Sequence, residues 1–213
     1  MIAVSVMGQQ DDTPAIESSD PKAVNLLKNV SKKLHSANNY AADFTFTIAY
    51  PDEADVIKKG SLIQEGSRFY VDLEDQTMTS DGESVWTHHL ELNELQITDA
   101  EESADGFNNP SDFLTIHEKG DFIFGILASY KRGKSNIKEI EFKPIERNSE
   151  FSKVRLVVNE TTKEIEEVLT FFKNGSRYTL KVGDWKLGIA TTDAVFTFDE
   201  SKFPGLNVED LRF

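Results

Sequence analysis

Strict alternation of apolar and polar residues dominates this chain. Phe69, Val71 and Leu73 alternate with Arg68, Tyr70 and Asp72, the two-residue period of a strand with one packed face and one more polar face. Phe44, Phe46, Ile48 and Tyr50 alternate in the same way with Thr45, Thr47 and Ala49, and the run stops before Pro51-Asp52. Asp81-Gly82 and Asn174-Gly175 each fall between β-prone runs; a tight hairpin turn needs positive φ, which Gly adopts without steric cost. Val157 to Ile165 reads as two strands joined by a polar turn. The pattern predicts about eleven strands, at roughly 42–50, 55–64, 67–74, 76–80, 83–89, 92–98, 136–145, 151–159, 164–173, 176–183 and 194–198.

A helical period occurs near the N-terminus. Ser19 or Asp20 can cap a helix, Pro21 fits its first position, and Ala23, Leu27, Val30 and Leu34 recur at intervals of 4, 3 and 4 residues. These features predict a helix over 21–37 with one buried face. Lys22, Lys28, Lys32 and Lys33 lie mostly off that face, which favours a solvated surface over a phosphate site. Residues 99–109 read as an exposed acidic loop. Asn109-Pro110-Ser111-Asp112 then opens a short helix carrying Phe113, Leu114 and Ile116, followed by a patch of Phe122, Ile123, Phe124, Ile126 and Leu127. The insertion is too apolar to be a solvated loop, so it is expected to cover something.

Residues 20–213 show no 20-to-50-residue repeat and no Pro- or Gly-rich linker, so one domain is the economical reading. Ahead of it, residues 1–19 read as a signal-peptide remnant and flexible lead-in. Ile2 to Gln10 resembles the end of an apolar signal segment, a small residue and a polar mature start, but a basic beginning is missing. Either the true start lies upstream or this is an ordinary N-terminal tail. No other stretch approaches 18 consecutive apolar residues.

Composition narrows the function. The formal charge of −14 repels nucleic-acid phosphate and anionic lipid, which argues against nucleic acid and stable membrane docking. With no Cys there is neither a disulfide framework nor a thiolate nucleophile or metal ligand. His88-His89 invites a metal, yet neighbours in a strand point to opposite faces and cannot chelate one ion. Glu101-Glu102 and Glu164, Glu166 and Glu167 could supply a carboxylate pair, but they suit solvated loops and faces better. No Gly-x-Ser-x-Gly elbow, P-loop or dinucleotide fingerprint occurs. No catalytic residue, metal or cofactor is therefore expected, and the chain reads as a non-enzyme.

Several features recur in a telling order: the helix with Leu26 and Leu27, Phe44-x-Phe46, Gly60-x-Leu62, Arg68-Phe69, then Ser80-Asp81-Gly82 with Val85-Trp86. Asn109-Pro110 before Phe113-Leu114, Phe142-x-Pro144, Phe196-x-Phe198-Asp199 and Phe203-Pro204-Gly205 continue the series. In this order and spacing, over most of residues 20–213, the chain resembles the periplasmic outer-membrane lipoprotein carrier family, LolA. The resemblance implies a mainly β fold: a single curved, unclosed antiparallel β-barrel wrapped around the N-terminal helix, with a short helical lid. It implies a monomeric periplasmic chaperone that binds the acyl chains of lipoproteins and carries them from the inner to the outer membrane. Its partners would be those acylated lipoproteins, the inner-membrane ABC transporter that releases them and an outer-membrane acceptor.

On this resemblance Leu27, Val30, Phe44, Phe46, Ile48, Phe69, Val71, Leu73 and Trp86 are candidates to line the cavity. Phe113, Leu114, Phe122, Phe124 and Leu127 are candidates for the lid. From the residues alone the same side chains could simply fill a barrel core. The family places a functional Arg ahead of a Pro after the strand holding Gly60 and Leu62. Here that stretch reads Gln64-Glu65-Gly66-Ser67, and Arg68 follows, so no lid-latch role is assigned. A lipid- or lipoprotein-sensing module on the same half-barrel is the alternative reading.

Overall fold

The computed structural model describes residues 18–100, 116–118 and 120–212. The N-terminal segment read as a signal remnant, the acidic loop beyond Ala100, and Phe113 and Leu114 lie outside these residues.

Helix α1 spans Pro21–His35. Asp20 caps it by accepting a hydrogen bond from the Lys22 N–H at 2.8 Å, and Pro21 occupies a position where a backbone donor would have no partner. Among the described residues twelve strands follow: β1 Asn39–Ala49, β2 Val56–Glu65, β3 Arg68–Leu73, β4 Gln76–Ser80, β5 Ser84–His89, β6 Glu94–Asp99, β7 Phe122–Arg132, β8 Ser135–Pro144, β9 Phe151–Asn159, β10 Glu164–Phe172, β11 Arg177–Leu187 and β12 Asn207–Asp210. They form one sheet in the order β12-β6-β5-β4-β3-β2-β1-β11-β10-β9-β8-β7. Every pairing is antiparallel except β12 with β6. The hairpin turns form as expected, with Gly82 and Gly175 at φ 98° and 91°.

The sheet is not closed, because β7 and β12 are its two edges. Each edge is blunted, as exposed strand edges must be. At β7 the Asp20 N–H donates to the Phe124 carbonyl at 2.8 Å, and the Phe124 N–H donates to Ser19 Oγ at 3.3 Å. At the other end β12 is four residues long and carries Glu209 and Asp210.

Three expectations are corrected. Phe122, Phe124 and Leu127 belong to strand β7 and not to a helical lid. A continuous apolar run fits a helix or a buried strand equally well, and here the free edge of β8 takes it up. Residues 194–198 are not a strand; Asp193–Phe196 forms a 3-10 turn that packs on β3 and β4. Trp86 faces away from the other cavity candidates. It pairs across with Thr79 and Ile97, whereas Val85 shares the face of Ser80 and Phe69.

Candidate functional site: the inner face of the sheet and its helical cover

Antiparallel registry aligns alternate residues of successive strands into rows. One row on the inner face runs Phe46, Leu180, Val168, Leu156, Ile140, Ile126, crossing six adjacent strands without a charge. A parallel row runs Ile48, Tyr178, Thr170, Val154, Phe142, Phe124. On the other arm Ala42, Leu62, Val71 and Met78 align, as do Phe44, Gly60 and Leu73. Gly60 has a special task in this wall. The ring of Phe44 lies directly over it, and a Cβ there would sit 2.6 Å from Phe44 Cζ.

Helix α1 lies on these rows. Its Ala23, Leu26, Leu27, Val30 and Leu34 form one buried cluster with Phe44, Phe69, Val71, Phe122, Phe124 and Phe142, among others, with Phe46, Leu73 and Ile126 packed against its margin. The structure therefore brings together Leu27, Val30, Phe44, Phe46, Phe69, Val71 and Leu73. Ile48 shares their face, half-buried near the end of β1. Phe122 and Phe124 line the same wall, and Leu127 sits at a bulge between Ile126 and Ala128. The inner face of β8 to β11 extends the site beyond the residues expected from the sequence, and its signal is the alternation in residues 136–145 and 151–159.

Polar contacts hold the helix at its ends. Ser19 and Asp20 bind β7 as described, and Lys33 Nζ reaches Glu164 Oε1 at 2.7 Å and the Thr162 carbonyl at 2.9 Å. Midway, Ser31 Oγ and His117 Nε2 are 2.9 Å apart. Burial depresses the His117 pKa below its ordinary value, against the opposing pull of Glu118. A groove of about 700 Å³ opens beside this pair, lined by Val24, Lys28, Ser31, Lys32, His117 and Phe124 among others. It leads to the junction of α1 and β7. A larger opening, about 820 Å³, lies where β10 and β11 diverge; Arg132, Glu139, Glu166, Glu167, Lys181 and Asp184 make it too charged for an acyl chain.

The outer face of β2 to β6 is covered too. Phe196 is buried beneath the Arg68 guanidinium, whose carbon is 4.7 Å from the ring centre. His88 packs edgewise on Phe203 and Phe198, with centres 4.4 and 5.5 Å away. Arg68 bonds Glu65 and, at 2.6 Å, Asp193. It thus fastens the residue 190–203 strap to the sheet and does not touch the helix. Glu65 accepts hydrogen bonds from Thr191, Arg68 and Asn39, which hold its carboxyl down to about 2. Of the acidic candidates, Glu164 pairs with Lys33, and Glu166 with Arg132 and Asn159, while Glu101 and Glu102 lie outside the described residues.

Comparison with known proteins bears on what this architecture is. The sequence profile of the outer membrane lipoprotein carrier protein LolA matches residues 35–199. No curated protein matches the chain. Among solved structures, an uncharacterized conserved protein from Thermus thermophilus superposes with a TM-score of 0.60 at 11% identity, covering 89% of this chain and 99% of its own. A DUF1329 family protein from Desulfovibrio piger gives 0.51 at 9% identity, over 87% and 100%. A LolA superfamily protein from Nitrosomonas europaea gives 0.46 at 15% identity, over 83% and 97%. Such identities speak to the fold alone; the profile, which spans well over half of the sequence, shows that the chain belongs to the outer membrane lipoprotein carrier family, LolA.

Proposed function

We propose that this protein is a periplasmic carrier that binds the acyl chains of lipoproteins against the inner face of its sheet. It would receive them from an inner-membrane ABC transporter and pass them to an acceptor at the outer membrane. One observation carries the reading beyond family membership: a charge-free row through six strands, covered by the apolar face of a helix whose polar contacts with the sheet lie near its ends. Each buried methylene contributes about 0.8 kcal/mol, so even part of one acyl chain binds strongly. Release is then the harder task. A helix that returns its own leucines to the same wall offsets much of that gain, because cargo must displace Leu26, Leu27 and Val30 to enter. The cover in this reading is α1, with the groove beside Ser31 and His117 as the entrance.

The test is binding of a fluorescent palmitoylated lipopeptide, followed by its transfer between donor and acceptor vesicles. Phe46→Glu and Phe69→Glu should abolish binding, while Thr45→Glu and Asp72→Lys on the outer face should leave it intact. Unfolding must be measured alongside, since a buried unpaired charge is costly. Equal losses from both pairs would reduce the inner face to plain core. Binding without transfer would favour a sensing module over a carrier.

A further inference from the structure

The net charge conceals a division. Residues 131–186 hold 13 of the 23 Lys and Arg but only 9 of the 37 Asp and Glu, so a net cationic arm is joined to a strongly acidic remainder. On its outer face, opposite the acyl-binding wall, the registry aligns Ile123, Lys143 and the neighbouring Lys153, Phe171 and Arg177 across β7 to β11. Arg155 lies one row away, across from Glu141 and Leu169. The cationic groups of Lys153, Arg155 and Arg177 stand 5.3, 5.4 and 5.7 Å from the Phe171 ring centre.

The acid within these two rows is sequestered, while Glu139 and Glu167 lie half-buried in the next row, across from Val157 and beside Lys181. Glu141 is 1% exposed, with Arg155 Nη2 at 2.9 Å, Lys153 Nζ at 3.5 Å and Lys143 Nζ at 3.9 Å. One buried carboxylate thus faces three cations, and Arg177 adds a fourth at the exposed margin. Arg147 and Lys173 extend the same end of the arm, joined where Lys173 Nζ donates to the Arg147 carbonyl at 2.6 Å; Glu146 and Glu150 lie in the adjoining loop.

We infer that this face docks a protein segment rich in Asp and Glu. Excess cations held over a half-buried aromatic ring offer carboxylates the planar fork of Arg177 and the point charges of Lys143 and Lys153, with Phe171 and Leu169 as an apolar floor. An anionic bilayer suits the patch less well. Phe171 sits beneath the cationic side chains and cannot act as a wedge, and the bilayer would meet the acidic remainder of the chain at close range. The surface is separate from the acyl-binding wall, so this inference does not depend on the proposed cargo.

The probe is a fluorescein-labelled peptide of Asp and Glu with one central Leu, titrated with the full chain by anisotropy. Binding should weaken steeply between 0.1 M and 1 M salt, where the Debye length falls from about 10 Å to about 3 Å. The double variant Lys143→Glu, Arg177→Glu leaves Lys153 and Arg155 on Glu141, and should bind at least about tenfold more weakly, equivalent to 1.4 kcal/mol. Lys59→Glu on the other arm should bind like the wild type. If charge reversal prevents folding, Lys143→Gln with Arg177→Gln serves in its place, with circular dichroism and lipopeptide binding as controls. Failure of the wild type to bind, or equal loss from Lys59→Glu, overturns the proposal. So does patch-dependent binding to phosphatidylglycerol vesicles in the absence of peptide binding, which would assign the face to membrane.

Discussion

Gly60→Ala is the sharpest test of how the inner wall is built. An added Cβ would lie 2.5 Å from the Asp72 carbonyl oxygen and 2.6 and 2.9 Å from Cζ and Cε2 of Phe44, all inside van der Waals contact. The Asp72 carbonyl belongs to the neighbouring strand β3, so it can retreat only if the β2–β3 pair opens. Phe44 is 6% exposed and part of the central cluster, so its ring can swing away only into filled space. Overpacking of this kind costs about 1–3 kcal/mol. Against that stands a gain of about 0.4–1 kcal/mol from a less flexible unfolded chain. The expected net loss is about 1–2 kcal/mol, or roughly 2–8 °C in Tm for a domain of this size.

Urea unfolding measures this loss as a lowered midpoint at constant slope. Phe44→Leu removes the two ring contacts but leaves the carbonyl contact, so a double-mutant cycle separates the causes. Gly60→Ala should cost less in the Phe44→Leu background, by about 0.5 kcal/mol or more. An unchanged or raised midpoint for Gly60→Ala would refute the reasoning entirely. Strict additivity would refute the part assigned to Phe44.

Three further outcomes are expected. Phe142→Ala, at a fully buried ring whose centre lies 4.6 Å from that of Phe124, should destabilise by about 3–5 kcal/mol in urea unfolding; a loss under about 1 kcal/mol would mean the wall is loosely packed. The Glu65 carboxyl is held below its ordinary value of 4.5, at about 2, so its contribution is complete above the ordinary value and is lost as pH falls through the lower one. Stability of Glu65→Gln should accordingly decline less steeply than wild type between about pH 4.5 and pH 2, and parallel declines would dissociate Glu65 from acid sensitivity. Lys33→Ala frees the C-terminal tether of α1 from Glu164 and Thr162. It should cost at most about 1 kcal/mol yet raise apolar-dye binding and speed lipopeptide uptake, and unchanged uptake would deny the helix its role as cover.

Local chemistry made much of this protein legible before any contact was known. Pro21 after a capping Asp20, the Leu27-Val30-Leu34 stripe, the Gly82 and Gly175 turns and the alternation around Phe44 and Phe69 each act within a few residues, and each element formed where it was expected. Tertiary structure decided what depends on partners distant along the chain. Phe122 to Ile126 is apolar enough for a helix or a strand, and only the vacant edge of β8 made it β7. Phe196-x-Phe198 alternates like a strand, but β11 already lies between β1 and β10, leaving Phe196 to be buried on the outer face under Arg68. Alternation likewise reveals that a strand has two faces without saying what covers each. Trp86 therefore reads as a cavity residue, whereas its row, with Thr79 and Ile97, belongs to the opposite side. The parallel pairing of β12 with β6 and the charge-free row through six strands are products of registry between segments far apart in sequence, which only folding brings into contact.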